Sequence, residues 1–469
     1  MNQGLTIVPP PVVGEALRRL EARGFQAWCV GGCVRDSLLG KAPSDWDIAT
    51  SALPQETKAC FAGERLVEAG AAHGTIAWVP SGGNPIEITT FRSDGAYTDG
   101  RHPDSVAFSR RLEDDLSRRD FTVNAMAWHP QRGLVDLFHG QEDLSAGLLR
   151  CVGEPARRFS EDALRILRCL RFSSQLGFAI HPDTARALWE KRELLLALSH
   201  ERVREELTKL LCGQGAAAVL RQYAAVVFTV LPELAPMKGC AQETPYHCFD
   251  VWEHTLHAVD YAPQQGDLRW AALLHDAGKP GRKTRSADGV AHFYGHPPES
   301  GRIARQLLTR LRFSNKERDW IAALVDHHED AMPMGEVHLK GLLGRYGERF
   351  VFTLFQLQEA DMSAKAPGVF ARRLPDLEES RALTRAILER GDCLTLGDMA
   401  LTGEDWKALG VAPARDKQAA APPAGGRPAG GGSQHPRRLG GAGQAPAETG
   451  PIKRNAAGHP PRRGPAYLM

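Results

Sequence analysis

The sequence predicts an N-terminal α+β region with a mixed, largely antiparallel sheet, followed by a long all-α region. Short apolar or alternating segments, separated by Gly- and Asn-containing turns, occur within residues 1 to 150. From about residue 151 the strand pattern stops and apolar residues recur at helical spacing. From residue 414 to 469 the chain is rich in Gly and Pro, which is typical of disordered, low-complexity sequence.

The predicted elements follow one another along the chain. An amphipathic helix over residues 11 to 23 is indicated by four apolar residues at helical spacing: Val13, Ala16, Leu17 and Leu20. "FQAWCV" predicts a strand that enters a Gly-Gly turn, and "VRDSLLG" a short helix. "DWDIAT" predicts the next strand, and "GTIAWVP" and "PIEITTF" predict a hairpin joined by "SGGN". A helix with Ser160 as N-cap then opens the helical region, and residues 375 to 392 form a further charged helix.

Composition excludes several classes of protein. The 469 residues suit two to four domains, and a net charge of +2 gives no strong global field. The nine cysteines are scattered without a C-x-x-C pair, which favours reduced thiols. The N-terminus lacks a signal-peptide pattern, and no window predicts a transmembrane helix. We therefore expect a cytoplasmic protein with no membrane association.

Two aspartates in "DWDIAT" indicate a metal site. Residues i and i+2 of a strand face the same way, so Asp45 and Asp47 are expected to present their carboxylates side by side. Glu87 alternates with two isoleucines and can supply a third acid. Oxygen ligands of this kind suit Mg²⁺ beside phosphates, and the set is typical of two-metal phosphoryl or nucleotidyl transfer.

The glycine turn before these acids favours a phosphate-binding function. Gly31 and Gly32 allow main-chain N–H groups to approach a polyphosphate, and Arg35 follows within reach of the same anion. The alternative for an isolated D-x-D is a surface turn with solvated acids. The "GGCVRD" turn nine residues earlier favours the metal site over that alternative.

Two further clusters carry arginines with acids or amides. In "RRDFTVNAMAW", Arg119 suits a triphosphate, and Asp120 and Asn124 suit ribose hydroxyls; a salt-bridged helix start is the alternative. The helix after residue 160 carries a polar stripe, for which a solvated face is the alternative. An acid followed by arginines also suits reading of base edges. The stripe consists of Asp162, Arg165, Arg168 and Arg171.

The order of these motifs resembles that of bacterial tRNA nucleotidyltransferases, the CCA-adding enzymes of the class II nucleotidyltransferase superfamily. "GGCVRD", "DWDIAT", "IEITTFR", "RRDFTVNAMAW" and "EDALRILRCLRF" carry the resemblance, which covers about residues 25 to 411. It implies a catalytic head, then a helical neck, body and tail. It also implies untemplated addition of C, C and A to tRNA 3′ ends from CTP and ATP.

The resemblance implies a role for each matching residue. Asp45 and Asp47 would hold Mg²⁺, with Glu87 as a third acid. Nucleotide contacts would come from nine residues: Gly32, Arg35, Arg119, Asp120, Asn124, Asp162, Arg165, Arg168 and Arg171. The rival activities are poly(A) polymerase, partial addition of CC or A, and a non-catalytic nucleotide- or RNA-binding module. "RSDGAYTDGRHPDSVAF" (92 to 108) resembles the flexible loop of full CCA-adding enzymes, which favours complete addition.

A second constellation in the helical half is similar to HD-domain phosphohydrolases. His254, the adjacent His275 and Asp276, and Asp361 form the H…HD…D signature, and His296 and His327 are candidates for a second ion. A mixed His and carboxylate set suits a transition metal such as Mn, Ni, Fe or Co. Structural histidines and an inactive HD scaffold are the alternatives.

These observations predict five regions. They are a catalytic head (1–150), a neck for nucleotide selection and RNA binding (151–240), an HD-type body (241–370), a partial tail (371–413) and a disordered end (414–469). The partners implied are tRNA, CTP and ATP, and no obligate protein partner is inferred. The family's final tail motif is replaced here by Gly- and Pro-rich sequence, in which a helix cannot propagate.

Overall fold

The head is built on one seven-stranded mixed sheet. A computed structural model describes residues 7–94, 106–395, 398 and 408. Nine strands occur before residue 137: β1 (Ala27–Val30), β2 (Asp47–Thr50), β3 (Arg65–Val67), β4 (Thr75–Val79), β5 (Ile86–Thr90), β6 (Arg92–Asp94), β7 (Val106–Phe108), β8 (Met126–His129) and β9 (Gly133–Asp136). The sheet order is β3-β4-β5-β2-β1-β8-β9, in which β2 and β5 run parallel and the other neighbours antiparallel. The predicted mixed, largely antiparallel sheet is therefore confirmed.

Five short helices cover this sheet. They are α1 (Pro11–Glu21), α2 (Gly32–Leu38), α3 (Pro54–Cys60), α4 (Leu112–Ser117) and α5 (Gly140–Ser145). The four apolar residues that predicted the first helix are all buried on α1. β6 and β7 pair as a separate two-stranded ribbon, and the centre of the predicted flexible loop lies outside the described residues. The cleft described below opens where β2, β5 and the start of α2 meet.

The rest of the described chain is helical, as predicted. Six helices follow the head: α6 (Pro155–Glu161), α7 (Leu164–Leu176), α8 (Pro182–Glu190), α9 (His200–Leu211), α10 (Ala216–Gln222) and α11 (Ala224–Val230). Eight more follow: α12 (Val251–Tyr261), α13 (Gly266–Leu274), α14 (Lys279–Arg282), α15 (His296–Arg310), α16 (Asn315–His327), α17 (Glu336–Tyr346), α18 (Glu348–Ser363) and α19 (Val369–Arg390). Two small ribbons accompany them, β10 (Leu148–Leu149) with β11 (Ala179–Ile180), and β12 (Thr284–Arg285) with β13 (Ala291–His292).

Two local predictions are corrected. The strand predicted from Asp45 begins at Asp47, because Asp47 is the first residue of the segment that has ladder partners, Val30 on β1 and Glu87 on β5. Ser160 is not an N-cap but lies inside α6, which is capped by a glutamate instead. An extended residue, Asp162, separates α6 from α7, and its Oδ1 accepts a hydrogen bond from the N–H of Leu164 (3.0 Å).

The chain divides into two units after residue 399, and the first of them, residues 1–399, is compact. The first unit holds every element named above. The predicted disordered end falls outside the described residues, and so does most of the predicted partial tail beyond α19. Among the helices that the structure describes, none is both long and apolar enough to cross a membrane.

Candidate active site of the head and metal centre of the body

One cleft of about 1220 Å³ brings together the three motif clusters of the head and neck. All twelve head and neck residues that the sequence singled out for metal or nucleotide binding line it: Gly32, Arg35, Asp45, Asp47, Glu87, Arg119, Asp120, Asn124, Asp162, Arg165, Arg168 and Arg171. They come from β2 and the segment before it, β5, α2, the segment after α4, and α7 with the residue that follows α6. The cleft therefore combines several carboxylates on one side with a set of arginines on the other, which we call the arginine wall.

The carboxylates come from two parallel neighbouring strands. Asp47 on β2 and Glu87 on β5 are register partners, so their side chains leave the sheet at the same level. Burial and the negative charge of Glu87 raise the pKa of Asp47 to about 6, although Arg119 opposes the shift. Asp45 adds a further, smaller repulsion. A divalent cation with oxygen ligands would relieve this conflict, and the donor set fits such an ion.

The three acids of the head, Asp45, Asp47 and Glu87, are less tightly clustered than the ligand groups of the body. Among the described residues, three groups of His, Asp or Glu have ligand atoms that all lie within 4.8 Å of one another, and all three are in the body. Asp45 precedes the strand and is exposed, whereas Asp47 is partly buried. The head site thus offers carboxylates to an ion without closing around it.

The glycine turn shapes the floor of the cleft. Gly31 has φ 77°, ψ −130°, a conformation that only glycine adopts readily. A Cβ placed there would lie 2.9 Å from Nη1 of Arg119. Arg35 on α2 donates from Nη1 to Oδ1 of Asn124 (2.6 Å) and from Nε to Oδ1 of Asp36 (2.8 Å). The turn therefore places two guanidinium groups at the cleft.

Asp120 organises the arginine wall. Its Oδ2 accepts from Nε (2.8 Å) and Nη2 (2.6 Å) of Arg168, and its Oδ1 accepts from Nδ2 of Asn124 (3.2 Å) and from the N–H of Phe121 (2.8 Å). Burial acts to raise the pKa of Asp120, but Arg168 and these hydrogen bonds outweigh it and lower the pKa to about 2. Both oxygens are engaged within the protein, so the geometry makes Asp120 a support for Arg168.

An aromatic residue that sequence reasoning missed lies under the arginines. The guanidinium carbons of Arg171, Arg35 and Arg168 lie 4.1, 5.1 and 5.3 Å from the ring centre of Phe172. Distances of this size correspond to cation–π contacts. The only sequence signal was the aromatic residue directly after the last arginine of "EDALRILRCLRF". Phe172 thus fixes three cations from two elements at one place.

The polar stripe of α7 is not a solvated face. Arg165 and Arg171 are buried, and Nη1 and Nη2 of Arg165 donate to the main-chain oxygens of Arg158 (3.1 Å) and Arg118 (3.0 Å). Arg165 also donates to Glu161 (2.7 Å), so these contacts within the protein engage its guanidinium.

The partners of two other stripe residues, Asp162 and Arg171, come from α9, which the sequence did not single out. Nε of Arg171 lies 3.2 Å from the Glu206 carboxylate, and Arg202 pairs with Asp162 at 3.1 Å. The helix α9 therefore supports the polar stripe through these two ion pairs.

A second site lies in the body, where buried histidines and aspartates form two groups. In the first, Nε2 of His254 lies 2.9 Å from Oδ1 of Asp361 and 3.4 Å from Nε2 of His275. The Nδ1 atoms of the two histidines contact the main-chain oxygens of Ala364 (3.1 Å) and Ala272 (2.8 Å), which orients both Nε2 atoms towards the centre. This group matches the predicted H…HD…D signature.

The second group contains His328 instead of the predicted His327. Nε2 of His296 lies 3.1 Å from Oδ1 of Asp276 and 3.3 Å from Nε2 of His328. His327 points elsewhere, since adjacent helical positions differ by about 100° in direction. Its Nδ1 contacts Oδ2 of Asp330 at 2.8 Å. In the structure His328, and not the predicted His327, therefore lies in this group.

Asp276 joins the two groups. Its Oδ2 lies 3.3 Å from Nε2 of His275, while its Oδ1 faces His296 and His328. Nζ of the buried Lys279 lies 2.7 Å from the same Oδ2. Burial opposes ionisation of Asp276, but His275 and Lys279 hold its pKa well below the usual range. The shared carboxylate and the flanking imidazoles form a candidate centre for two metal ions.

Comparison with known proteins places these sites in a family. Residues 27–150 match a model described as the poly A polymerase head domain, residues 177–237 one described as a probable RNA- and SrmB-binding site of polymerase A, and residues 245–367 the HD domain. A CCA-adding enzyme of Bacillus stearothermophilus, solved in complex with CTP, is 31% identical with a TM-score of 0.66. The alignment covers 87% of this chain and 89% of that one. The chain belongs to the family of CCA-adding enzymes.

Curated CCA-adding enzymes are more similar over a shorter stretch. That of Leuconostoc mesenteroides is 50% identical over 204 residues, which is 44% of this chain and 50% of the relative. That of Oceanobacillus iheyensis is 43% identical over 254 residues, or 52% of this chain and 62% of the relative. The matched part of the chain thus spans about half the length of the first two curated relatives. Family membership implies the use of a divalent metal, for which the structure offers candidate ligand groups.

Proposed function

We propose that the protein adds C, C and A to the 3′ end of tRNA, using CTP and ATP. The observation that carries this proposal is the single cleft in which the carboxylates of β2 and β5 face the arginines supported by Asp120 and Phe172. The acids suit metal-assisted phosphoryl chemistry, and the arginines suit a nucleotide. Similar proteins are named CCA-adding enzymes, and one was solved with CTP.

In the proposed reaction the 3′ hydroxyl oxygen of the tRNA bonds to the α phosphorus of the nucleotide. The bond from that phosphorus to the bridging oxygen breaks, pyrophosphate leaves, and the hydroxyl proton is lost to solvent. Asp45, Asp47 and Glu87 would hold Mg²⁺, which when bound supplies charge neutralisation at the phosphates. Arg119 and Arg35 would hold the triphosphate.

Selection of the incoming base is assigned to the surface of α7. Arg168 is held in a fixed orientation by Asp120, and a fixed guanidinium can pair with two acceptors of a base edge. Asp162 would accept from an exocyclic amine, with Arg202 as its support. Asp120 acts here as a positioning residue, while Arg165 contacts the protein's own main chain.

The test is incubation of the full-length protein with tRNA that lacks its 3′ end, with CTP and ATP, followed by sequencing of the product ends. Complete CCA ends support the proposal. Ends that stop at CC, gain only A, or extend as poly(A) would support the rival polymerases. No extension would support a binding module. Asp47→Asn is the matched inactive control, because it keeps size and hydrogen bonding but removes a charge.

We further propose that the body hydrolyses phosphoesters, with a transition metal such as Mn, Ni, Fe or Co. Two buried ligand groups that share Asp276 support this second function. His254, His275 and Asp361 would hold one ion, and His296 and His328 the other, with Asp276 between them. The ions would activate a water molecule for attack at phosphorus.

Hydrolysis of a 2′,3′-cyclic nucleotide in the presence of each metal ion tests this function. Asp361→Asn should remove the activity, whereas the head variant Asp47→Asn should retain it. If the wild-type protein releases no product with any of these ions, the body is better interpreted as a scaffold. The five-region division, the disordered end and the cytoplasmic location remain predictions of the sequence.

A further inference from the structure

His327, which the sequence pattern assigned to the HD centre, belongs to a separate cluster near the surface. Its Nδ1 lies 2.8 Å from Oδ2 of Asp330, and Nε2 of His338 lies 2.7 Å from the same oxygen. The three ligand atoms lie within 4.8 Å of one another. The cluster joins the C-terminal end of α16, the following loop and the first turn of α17.

From this arrangement we infer a third metal site, in which His327, Asp330 and His338 bind a divalent transition ion such as Zn²⁺. Two imidazoles with one carboxylate suit borderline ions and are a poor set for Mg²⁺. Tetrahedral ligands at about 2.0–2.1 Å from zinc lie about 3.3 Å apart. The observed 2.7 and 2.8 Å separations therefore need to widen by about 0.5 Å, which small rotations of partly exposed side chains supply.

The ligands are held in place by neighbours that do not depend on an ion. The ring of His327 packs edge-on against Tyr346 (5.7 Å) and Phe350 (6.1 Å). The main-chain oxygen of Asp330 accepts from Nε2 of the buried Gln358 (3.2 Å). The side chain of His338 is 46% exposed, so an ion can enter from solvent and keep a water ligand.

The site is distinct from the proposed HD centre although the two are adjacent in sequence. His328, the next residue, faces Asp276 at 3.7 Å, whereas His327 faces Asp330. An ion in the third site would fix the end of α16 and so the backbone that carries His328. The expected role is structural, and the inference does not depend on hydrolysis by the HD centre.

The alternative is a hydrogen-bonded cluster in which both imidazoles donate to one carboxylate oxygen. A count of bound metal ions distinguishes a metal site from such a hydrogen-bonded cluster. The full-length protein, His338→Ala and Asp330→Asn are dialysed to equilibrium against Zn²⁺, and bound metal is measured by mass spectrometry. His200→Ala, an exposed histidine outside the ligand groups of the described chain, is the matched control.

Each cluster variant should bind one ion fewer per chain than the wild type, and the control should match the wild type. Asp330→Asn keeps an acceptor for the imidazoles but loses the charge, so a merely hydrogen-bonded cluster would leave its ion count unchanged. Equal counts for the wild type and His338→Ala would overturn the inference. An equal loss in the control would also overturn it, as nonspecific surface binding.

Discussion

Replacing Asp120 with Asn tests the support of the arginine wall. The carboxylate accepts two hydrogen bonds from Arg168 and is 7% exposed. Asn keeps the shape but removes the charge. If its oxygen accepts from Arg168, its NH2 group must face two donors, the N–H of Phe121 and Nδ2 of Asn124, which now contact Oδ1. We expect the variant to lose stability and to lose discrimination between nucleotides, because Arg168 is no longer held in one orientation.

The magnitude follows from the ionisation of Asp120. Its pKa falls from the usual 3.8 to about 2 in the folded protein, which corresponds to about 2 kcal/mol of stability. Because the folded pKa is the lower one, this stability is fully present above pH 3.8 and is lost as the pH falls towards 2. Asparagine does not titrate, so the deficit of the variant should be constant between pH 5 and pH 7.

Urea unfolding at pH 5, 6 and 7 measures this deficit. Asp183→Asn is the control, since the ion pair of Asp183 with Arg186 is exposed and is expected to contribute less than ~1 kcal/mol. In parallel, misincorporation of UTP and GTP relative to CTP should rise for Asp120→Asn. A variant as stable and as selective as the wild type, or a deficit that changes between pH 5 and pH 7, would refute the reasoning.

Four further variants, one of them a matched control, test other parts of the molecule. Asp47→Ala should abolish nucleotide addition to tRNA without lowering the melting temperature, because it removes one of several repelling acids; retained CTP incorporation would contradict this. Gly31→Ala should cost about 1–3 kcal/mol in urea unfolding, since the backbone is strained for alanine and the Cβ would lie 2.9 Å from Arg119. Gly32→Ala, in the first turn of α2 with its nearest contact at 3.7 Å, should cost less than half of that, and equal costs would argue against strain. Asp276→Ala should remove metal-dependent phosphoester hydrolysis and spare CCA addition, and loss of both activities would indicate global damage.

Local sequence patterns predicted the helices and strands and the face of each on which a given side chain lies. The alternation of Glu87 with buried isoleucines placed it on the face opposite the core, and the structure has Glu87 exposed between Ile86 and Ile88. That β2 and β5 are neighbours could not be derived from either segment, because strand order depends on contacts between distant parts of the chain. The register of Asp47 with Glu87 is therefore a structural finding, although each acid was predicted by itself.

The sequence did not predict the ion pairs between residues that are far apart in the chain. Asp120 and Arg168 are 48 residues apart, and Asp162 and Arg202 are 40 apart. The sequence assigned Asp120, Arg168 and Asp162 to nucleotide contacts. In the structure each of them pairs with another side chain of the protein. A charged group beside a cleft can meet substrate or an opposite charge, and only the fold decides which.

Arg165 shows why a helical wheel cannot make that decision. The wheel correctly separates the apolar side of α7 from the side with the arginines, but Asp162 is extended and lies before the helix. It does not show that the main-chain oxygens of Arg118 and Arg158 face the guanidinium of Arg165. A buried guanidinium needs acceptors for its N–H groups, and carbonyl oxygens left free at turns and helix ends are ready acceptors. Arg165 therefore joins α7 to the head. Among the arginines of the stripe, Arg168, whose side chain is 34% exposed, is the one to which we propose the base-reading role.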